Sequence, residues 1–193
     1  MKKILVCISL LMAFATMNAQ KLVKFNLKPD GTFQTIEGKA FIVVEYEGKT
    51  AQELYDMVKS NVFTLYNSPQ HVLNEIEPTN ITIRALSDVL YSTYKLGSAF
   101  VEYRAKYNLV FHFKDGRIRI DAPLIDRQLN VSATAAAMPK TFKSLVGCWF
   151  EKDGSVKKKK QDKVSKIETI LNYPINYLLG SLSRKTSEVE EGW

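Results

Sequence analysis

The stretch FHFKDGRIRI, residues 111–120, has the pattern of a β-hairpin. Asp115-Gly116 is a two-residue turn signal of the kind that joins neighbouring antiparallel strands. A two-residue loop fixes the cross-strand pairs as Lys114–Arg117, Phe113–Ile118, His112–Arg119 and Phe111–Ile120. Apolar residues then face apolar residues and basic residues face basic ones, as a sheet with one buried face and one wet face requires.

The same alternation continues upstream of the hairpin. From Val101 to Phe113 every odd residue is apolar, and every even residue except Val110 is polar or charged. This period of two predicts a long strand whose odd residues point into the protein and whose even residues meet solvent. The expected wet face of the hairpin and this strand carries a basic set: Arg104, Lys106, His112, Lys114, Arg117 and Arg119.

A strand followed by a capped helix precedes this region. The segment KAFIVVEYEG (39–48) is rich in β-branched and aromatic residues, which favours a strand. The sequence TAQE then places Thr50 three residues before Glu53, the spacing of a capping box at a helix N-terminus. An apolar stripe at helical spacing follows. It consists of Leu54, Met57, Val58, Val62 and Leu65.

Other segments have weaker patterns. Residues 23–34 (VKFNLKPDGTFQ) predict a small hairpin, because Pro, Asp and Gly at its centre supply turn chemistry. Residues 71–77 fit either a short strand or an irregular connector. Residues 81–92 (ITIRALSDVLYS) predict one strand, with a turn at Gly97 after it.

Beyond Pro123 the regular alternation stops. We expect a long connection over residues 124–144 and a final strand over 146–154. The stripe from Val164 onward predicts a helix with a kink or restart at residues 172–174. Lysines are unfavourable at a helix N-terminus, so this helix is expected to begin near Asp162.

The first nineteen residues have the composition of a secretory signal peptide. Lys2 and Lys3 precede the apolar run ILVCISLLMAF, which is too short to span a bilayer comfortably. Small residues follow and permit cleavage after Ala15 or Ala19. We therefore expect an exported protein, periplasmic or extracellular, with no transmembrane span after cleavage.

Composition is that of a folded domain with a moderate positive charge. Hydrophobic residues make up 46% of the chain and charged residues 24%, and the formal net charge is +7. Lys2 and Lys3 supply two of these charges, so the exported chain would carry about +5. That is modest for a dedicated nucleic-acid-binding protein, and we expect nucleic acid not to be the partner.

No catalytic or metal-binding motif is evident in the sequence. Loss of Cys7 with the signal peptide would leave Cys148 alone, which rules out an internal disulfide and a multi-cysteine metal site. The apolar neighbours of Cys148 in VGCWF predict a buried, inert thiol. His71 and His112 are the only histidines. We expect no metal, no cofactor and no enzymatic activity.

Three segments resemble a known family. They are FIVVEYEGKTAQELYDMV, NSPQHVL and LVFHFKDGRIRI, which together lie within residues 38–125. They are similar to segments of secreted Bacteroidetes proteins grouped as domain of unknown function 4468. The resemblance implies an α+β fold like one half of the TATA-box-binding protein: a curved antiparallel β-sheet with helices packed on one face, plus here a helical C-terminal extension. The expected division is a signal peptide (1–19), an N-terminal hairpin (20–37), the TBP-like domain (38–125), a connection with the helical extension (126–185) and a tail (186–193).

The basic sheet face is the main candidate site. Guanidinium groups bind carboxylates and phosphates well, so we expect a non-catalytic module that binds an anionic glycan, lipopolysaccharide or an envelope protein. Two alternatives remain open: a hydrolase with a groove between the sheet and the C-terminal segment, and a protein that lies on a membrane surface through a basic amphipathic helix. The membrane-surface residues would be Lys157, Lys158, Lys159, Lys160 and Lys163.

Overall fold

The protein is an α+β structure built on an open, eight-stranded antiparallel sheet. A computed structural model describes residues 22–95, 99–130, 142–180 and 185–187. The sheet order is β10-β3-β8-β7-β5-β4, and β6 and β9 pair with the other half of β7. The strands of this sheet are β3 (Phe41–Glu45), β4 (Leu73–Ile76), β5 (Asn80–Leu86), β6 (Tyr91–Lys95), β7 (Ala99–Lys114), β8 (Arg117–Asp121), β9 (Leu124–Asn130) and β10 (Lys185–Ser187).

Strand β7 is the centre of the sheet, and the predicted hairpin between β7 and β8 is confirmed. The four cross-strand pairs have the register that the two-residue loop dictates. Gly116 in the turn has a φ of 77°, a left-handed conformation that glycine adopts without steric cost. The predicted parity is also confirmed: Phe111, Phe113 and Ile118 are buried, whereas Lys114 is exposed.

The predicted single strand over residues 81–92 is wrong, because the chain bulges in the middle of it. Strands β5 and β6 pair with successive parts of β7, and residues 87–90 separate them. The buried hydroxyl of Ser87 accepts a hydrogen bond from the Ala105 amide, at 2.9 Å, which satisfies a main-chain group that the bulge would leave unpaired. The side-chain oxygen thus takes the place of a ladder carbonyl.

The predicted connection over residues 124–144 is wrong in its first part. Residues Leu124–Asn130 form β9, which pairs with β7 and has a register shift between Lys106 and Tyr107. The pattern looked irregular because this shift places Asp126 as an extra residue in the strand. Residues 131–141 lie outside the described residues.

The capping box is confirmed. Helix α1 (Ala51–Leu65) begins after Thr50, whose hydroxyl accepts from the Glu53 amide while the Glu53 carboxylate accepts from the Thr50 amide. Asp115 in the β7–β8 turn adds a further bond, because its Oδ1 accepts from the Ala51 amide at 2.7 Å. The turn and the helix N-terminus therefore hold each other in place.

Helix α1 and a C-terminal helix cover the odd-residue face of the sheet. The second helix, α4 (Gln161–Leu178), buries Val164, Ile167, Leu171 and Ile175 in the same hydrophobic core as β7 and α1. It begins at Gln161, beside the predicted Asp162. The helix continues through residues 172–174 with Pro174 buried inside it, so the predicted restart is wrong, and the predicted kink at this proline stays a prediction.

The predicted N-terminal hairpin is confirmed and packs on α4. It consists of β1 (Asn26–Leu27) and β2 (Phe33–Gln34). The chain before β1 lies against α4 and hydrogen-bonds to its side chains. Asn172 accepts from the Phe25 amide at 2.8 Å and donates to the Phe25 carbonyl at 2.8 Å, and Asn176 makes the same pair of bonds with Val23. The hairpin, the sheet and the helical extension therefore share one core.

The predicted strand over residues 146–154 is wrong. A short helix α3 (Phe142–Val146) leads into a 3₁₀ turn at Gly147–Trp149, and only a single bridge, between Phe150 and Val156, has strand character. Cys148 is exposed rather than buried, because the 3₁₀ turn directs its neighbour Trp149 into the core instead. The remaining helix, α2 (Pro69–Val72), is a single turn that leads into β4.

The predicted signal peptide, the turn at Gly97 and the tail 186–193 lie wholly or mainly outside the described residues. No helix in the described ranges has both the length and the apolar character needed to cross a membrane.

Candidate binding surface on the sheet

In the part of the chain that the structure describes, the helices pack on one face of the sheet and leave the other uncovered; we call that second face the open face. It carries the even residues of β5 and β7 and their neighbours on β4, β8 and β9. All six residues of the predicted basic set lie on this face by register: Arg104, Lys106, His112, Lys114, Arg117 and Arg119. The sequence interpretation therefore placed them on one surface, but the structure separates them into two ends of β7.

At the hairpin end, the basic groups are engaged within the protein. Asp121 accepts from the Nε2 of His112 and from the Nε of Arg119, each at 3.1 Å. Burial tends to raise the pKa of Asp121, but the hydrogen bonds and charges of these two residues outweigh it and hold the pKa below its ordinary value. The carboxylate thus offsets the charge of Arg119 and engages the His112 ring within the protein.

The other cations at this end also have partners. The Arg119 guanidinium lies 4.4 Å from the ring centroid of Phe41, a cation–π contact that covers the buried ring. Arg117 stands opposite Glu45 in the β3–β8 register, and Lys114 and Arg117 both have further interactions inside the protein. The predicted repulsion between opposed basic residues is therefore offset by acids and an aromatic ring from neighbouring strands.

At the other end of the open face the cations have no such partners. Arg84 of β5 and Lys106 of β7 are both exposed, and neither has an ion pair or hydrogen bond within the described residues. His112 follows Lys106 by six positions along β7, so the two ends are about 20 Å apart. The cations at the hairpin end are therefore paired and, among the described residues, those at this end are not, although both ends include part of β7.

A pocket of about 320 Å³ lies at this end; we call it the β-bulge pocket. Both irregularities of the sheet flank it, since residues 87–90 bulge on one side of β7 and Asp126 is the extra residue on the other. Bulges bend a sheet and redirect side chains, and here two of them lie beside the pocket, which residues of α2 also line. Its lining comprises His71, Val72, Arg84, Ala85, Leu86, Lys106, Tyr107, Asn108 and Asp126.

Arg104 stands between the pocket and the strand end. It is half-buried, and its Nε is buried with no hydrogen-bond partner. A buried guanidinium nitrogen without a partner is costly, so the Arg104 Nε differs from the exposed Lys106 ammonium, which water can hydrate. Both point to the same half of the open face.

Exposed apolar side chains accompany the charges. Ile76, Leu86 and Leu124 lie on the open face and are between 50% and 63% exposed. The sequence interpretation recognised only Val110 as apolar on this face. The open face is therefore a mixed surface, with cations and apolar groups side by side, rather than a uniformly basic one.

On the helix side of the sheet, a contact between two tyrosine hydroxyls supports the strand that lines the pocket. The hydroxyls of Tyr107 and Tyr66 are 3.2 Å apart, and burial raises the pKa of both, so both remain neutral phenols. This pair joins the end of α1 to β7 beneath the pocket. It supports the position of the pocket-lining strand without offering a charge to a ligand.

The predicted membrane-surface lysines lie apart from this site. Lys158, Lys159 and Lys160 form a 3₁₀ turn before α4, and the Lys157 ammonium donates to the Cys148 carbonyl at 3.0 Å. Lys163 lies with its ammonium 6.0 Å from the ring centroid of Tyr91. The apolar face of α4 is already buried in the core, so it is not available to insert into a membrane.

Sequence reasoning missed four polar residues of the pocket. They are His71, Arg84, Asn108 and Asp126. Arg84 and Asn108 were accessible from the alternation, since both occupy even positions on strands with apolar odd positions. Asp126 and His71 were not, because only the strand bulge and the α2 turn bring them to this place. Within the described residues, no cluster of potential ligands could hold a metal ion.

The chain matches no family model and no curated protein. Among solved structures it is similar to a protein of the domain of unknown function 4468 family from Bacteroides ovatus, with 10% identity and a TM-score of 0.47 over 86% of this chain and 94% of that one. It is also similar to a TBP-like protein from Parabacteroides distasonis, with 13% identity and a TM-score of 0.39 over 72% of this chain and 81% of that one.

Proposed function

We propose that the protein is a non-catalytic binding module that takes an anionic glycan of the bacterial envelope on its open face. The observation that carries the proposal is the position of two exposed cations, Arg84 and Lys106, which have no partner in the described residues and line one pocket. An uncovered sheet face with unpaired cations is suited to an anionic ligand.

The mixed character of the face favours a glycan over nucleic acid. Asn108 and Asp126 lie beside the two cations and provide acceptors as well as a donor, which hydroxyl groups can use. The backbone of DNA has no hydroxyl donors for Asp126, which would therefore meet its phosphates only as a repulsive charge. The moderate net charge of the chain also gives little of the long-range attraction on which nucleic-acid binding depends.

The proposed place of action rests on the N-terminal sequence. A basic start, a short apolar run and small residues up to Ala19 are those of a signal peptide, so the mature protein would begin near Gln20 in the periplasm or outside the cell. Acidic polysaccharides and the phosphorylated sugars of lipopolysaccharide are the abundant anionic polymers there. Both present charge together with sugar hydroxyls.

The test is retention of residues 20–193 on immobilised acidic polysaccharide and on lipopolysaccharide, with neutral dextran as the matched matrix. We expect retention on the acidic matrices that falls as salt is raised, because exposed charge pairs are screened. The double variant Arg84→Glu with Lys106→Glu should elute in the void volume while its circular dichroism stays unchanged. Failure of the wild-type protein to bind either acidic matrix would refute the proposal.

A second variant locates the binding on the open face. Arg117→Glu with Arg119→Glu changes the charge by the same amount at the hairpin end, where the native groups are already engaged with the protein's own acids and Phe41. We expect this variant to keep most of its retention. Equal loss in both variants would mean that net charge alone governs binding, without a defined site.

A protein partner is the second candidate, and the exposed apolar residues of the open face favour it. Ile76, Leu86 and Leu124 would form the apolar part of such an interface. A pull-down from envelope extract with wild-type protein and an Ile76→Ser variant, which changes the apolar patch at a residue outside the pocket lining, distinguishes the two candidates. A protein captured by the wild type and lost from the variant supports this second candidate, whereas glycan retention should survive the apolar substitution.

A further inference from the structure

The β-bulge pocket combines groups that no single simple anion would satisfy. Arg84 and Lys106 supply positive charge, Asp126 supplies a negative charge, and Asn108 supplies an amide that both donates and accepts. An isolated inorganic anion would be attracted by the first pair and repelled by Asp126. A ligand that suits all four groups must carry an anionic group and hydroxyl donors on the same small frame.

The size and the walls of the pocket further limit which ligands can fit it. Its volume of about 320 Å³ is at the lower end of the range for small-molecule sites, which suits one sugar ring and its substituents. Leu86 and Val72 form apolar walls on which the C–H face of a pyranose ring can pack. Leu86, Lys106 and Asp126 of the lining are exposed, so a ring within a longer chain can reach the pocket from solvent.

We infer that the β-bulge pocket binds a single uronic-acid-type residue of an acidic glycan, and this inference rests on the proposed function. The Arg84 guanidinium and the Lys106 ammonium hold the carboxylate. Asp126 and Asn108 accept and donate hydrogen bonds to the ring hydroxyls. The carboxylate and the hydroxyls of a hexuronic acid lie on different carbons of one ring, which matches cations and acceptors on different strands.

Two strand irregularities make this arrangement possible. Lys106 pairs with Leu86 on one side and with Arg127 on the other, so its position is fixed by both neighbouring strands. Asp126 is present on the open face because it is the extra residue between Ile125 and Arg127. Deletion of that extra residue would return the strand to regular register and remove the hydroxyl acceptor from the pocket.

The test uses monosaccharides, which the retention experiment does not. We would titrate ¹⁵N-labelled protein, residues 20–193, with D-galacturonate, D-glucuronate, D-galactose and inorganic phosphate, and follow amide shifts at Ala85, Tyr107 and Asn108. We expect saturable shifts with one or both uronates and none with galactose. Phosphate should bind at least about tenfold more weakly than the uronate, because it leaves the hydroxyl acceptors unpaired.

Two variants test separately the cations of the pocket and its acidic acceptor. Arg84→Ala should weaken uronate binding by about tenfold or more, since it removes a charge-assisted hydrogen bond. Asp126→Asn keeps the shape and removes the negative charge, so it should weaken uronate binding yet strengthen phosphate binding. The matched controls are Lys158→Ala and Asp56→Asn, which change the same charges at exposed positions outside the pocket.

The outcomes distinguish the inference from the proposed function. Glycan retention without uronate shifts at these amides, or equal affinity for uronate and phosphate, would overturn the pocket assignment and leave the open face as a less specific anion-binding surface. Loss of glycan retention altogether would overturn the proposed function itself. Opposite effects of Asp126→Asn on uronate and phosphate would establish the pocket.

Discussion

Replacement of Asn172 by alanine tests how the N-terminal segment is held on α4. Asn172 is 8% exposed, and its amide accepts from the Phe25 N–H and donates to the Phe25 carbonyl, both at 2.8 Å. The substitution leaves two main-chain groups of a fully buried residue without partners. Each such group costs about 1–3 kcal/mol, whereas alanine recovers about 0.5 kcal/mol of helix propensity.

We therefore expect Asn172→Ala to lower the free energy of unfolding by about 3 kcal/mol. For a chain of this size that corresponds to a fall in Tm of about 10 °C. Urea unfolding monitored by circular dichroism measures the first quantity, and calorimetry measures the second. Amide exchange at Phe25 should accelerate as well, because its hydrogen bond is lost.

Two control variants test whether the loss of stability comes from the buried hydrogen bonds of Asn172. Asn176→Ala removes the same kind of bonds from Val23, but Asn176 is only half-buried, so water can replace part of them and the expected cost is about half. Asn67→Ala, at an exposed position, should change stability by less than about 0.5 kcal/mol. If Asn172→Ala cost no more than Asn67→Ala, hydrogen bonds to α4 would not be what anchors the segment.

Four further predictions follow from other parts of the fold. Gly116→Ala should destabilise the protein by about 1–2 kcal/mol in urea unfolding, since the residue has a φ of 77°; an unchanged midpoint would contradict this. Asp121→Asn should cost about 1 kcal/mol at pH 7, discounted for partial exposure. Because the folded pKa of Asp121 lies below its ordinary value of 3.8, that contribution is present above pH 3.8 and is lost as the pH falls through the folded pKa; a gap between the two proteins that persisted in strong acid would refute this. Glu53 should titrate near pH 2 by NMR, because it accepts from Thr50 and Lys49, and in Thr50→Ala its midpoint should move back towards its ordinary value. Ile167→Ala should cost about 2–5 kcal/mol and disturb the whole domain, whereas a membrane-binding helix would tolerate it.

Features set by neighbouring residues could be predicted from the sequence. The β7–β8 hairpin depends on Asp115-Gly116 and on alternation over a few residues, so its register could be derived pair by pair. The start of α1 depends on Thr50 and Glu53, three residues apart. The burial of odd residues along β7 follows from strand geometry alone, because side chains alternate between the two faces.

Features that depend on residues far apart in the chain could not be predicted from the sequence. The segment Leu124–Asn130 became a strand because β7 was long enough to pair with it beside β8, and its own pattern was blurred by the extra residue Asp126. The exposure of Cys148 depended on the 3₁₀ turn that directs Trp149 inward. In both places local propensity was weak, and tertiary contacts decided the outcome.

The candidate site shows the same division between sequence and tertiary structure. Strand periodicity by itself determined that the basic residues of β7 and β8 share a surface away from the core. Only the tertiary structure decided which cations of this surface have partners, because Asp121 reaches His112 from β8 and Phe41 reaches Arg119 from β3, while Arg84 and Lys106 have no such partner among the described residues. The sequence shows which residues carry a charge. Whether that charge is neutralised depends on which strands lie side by side in the folded sheet.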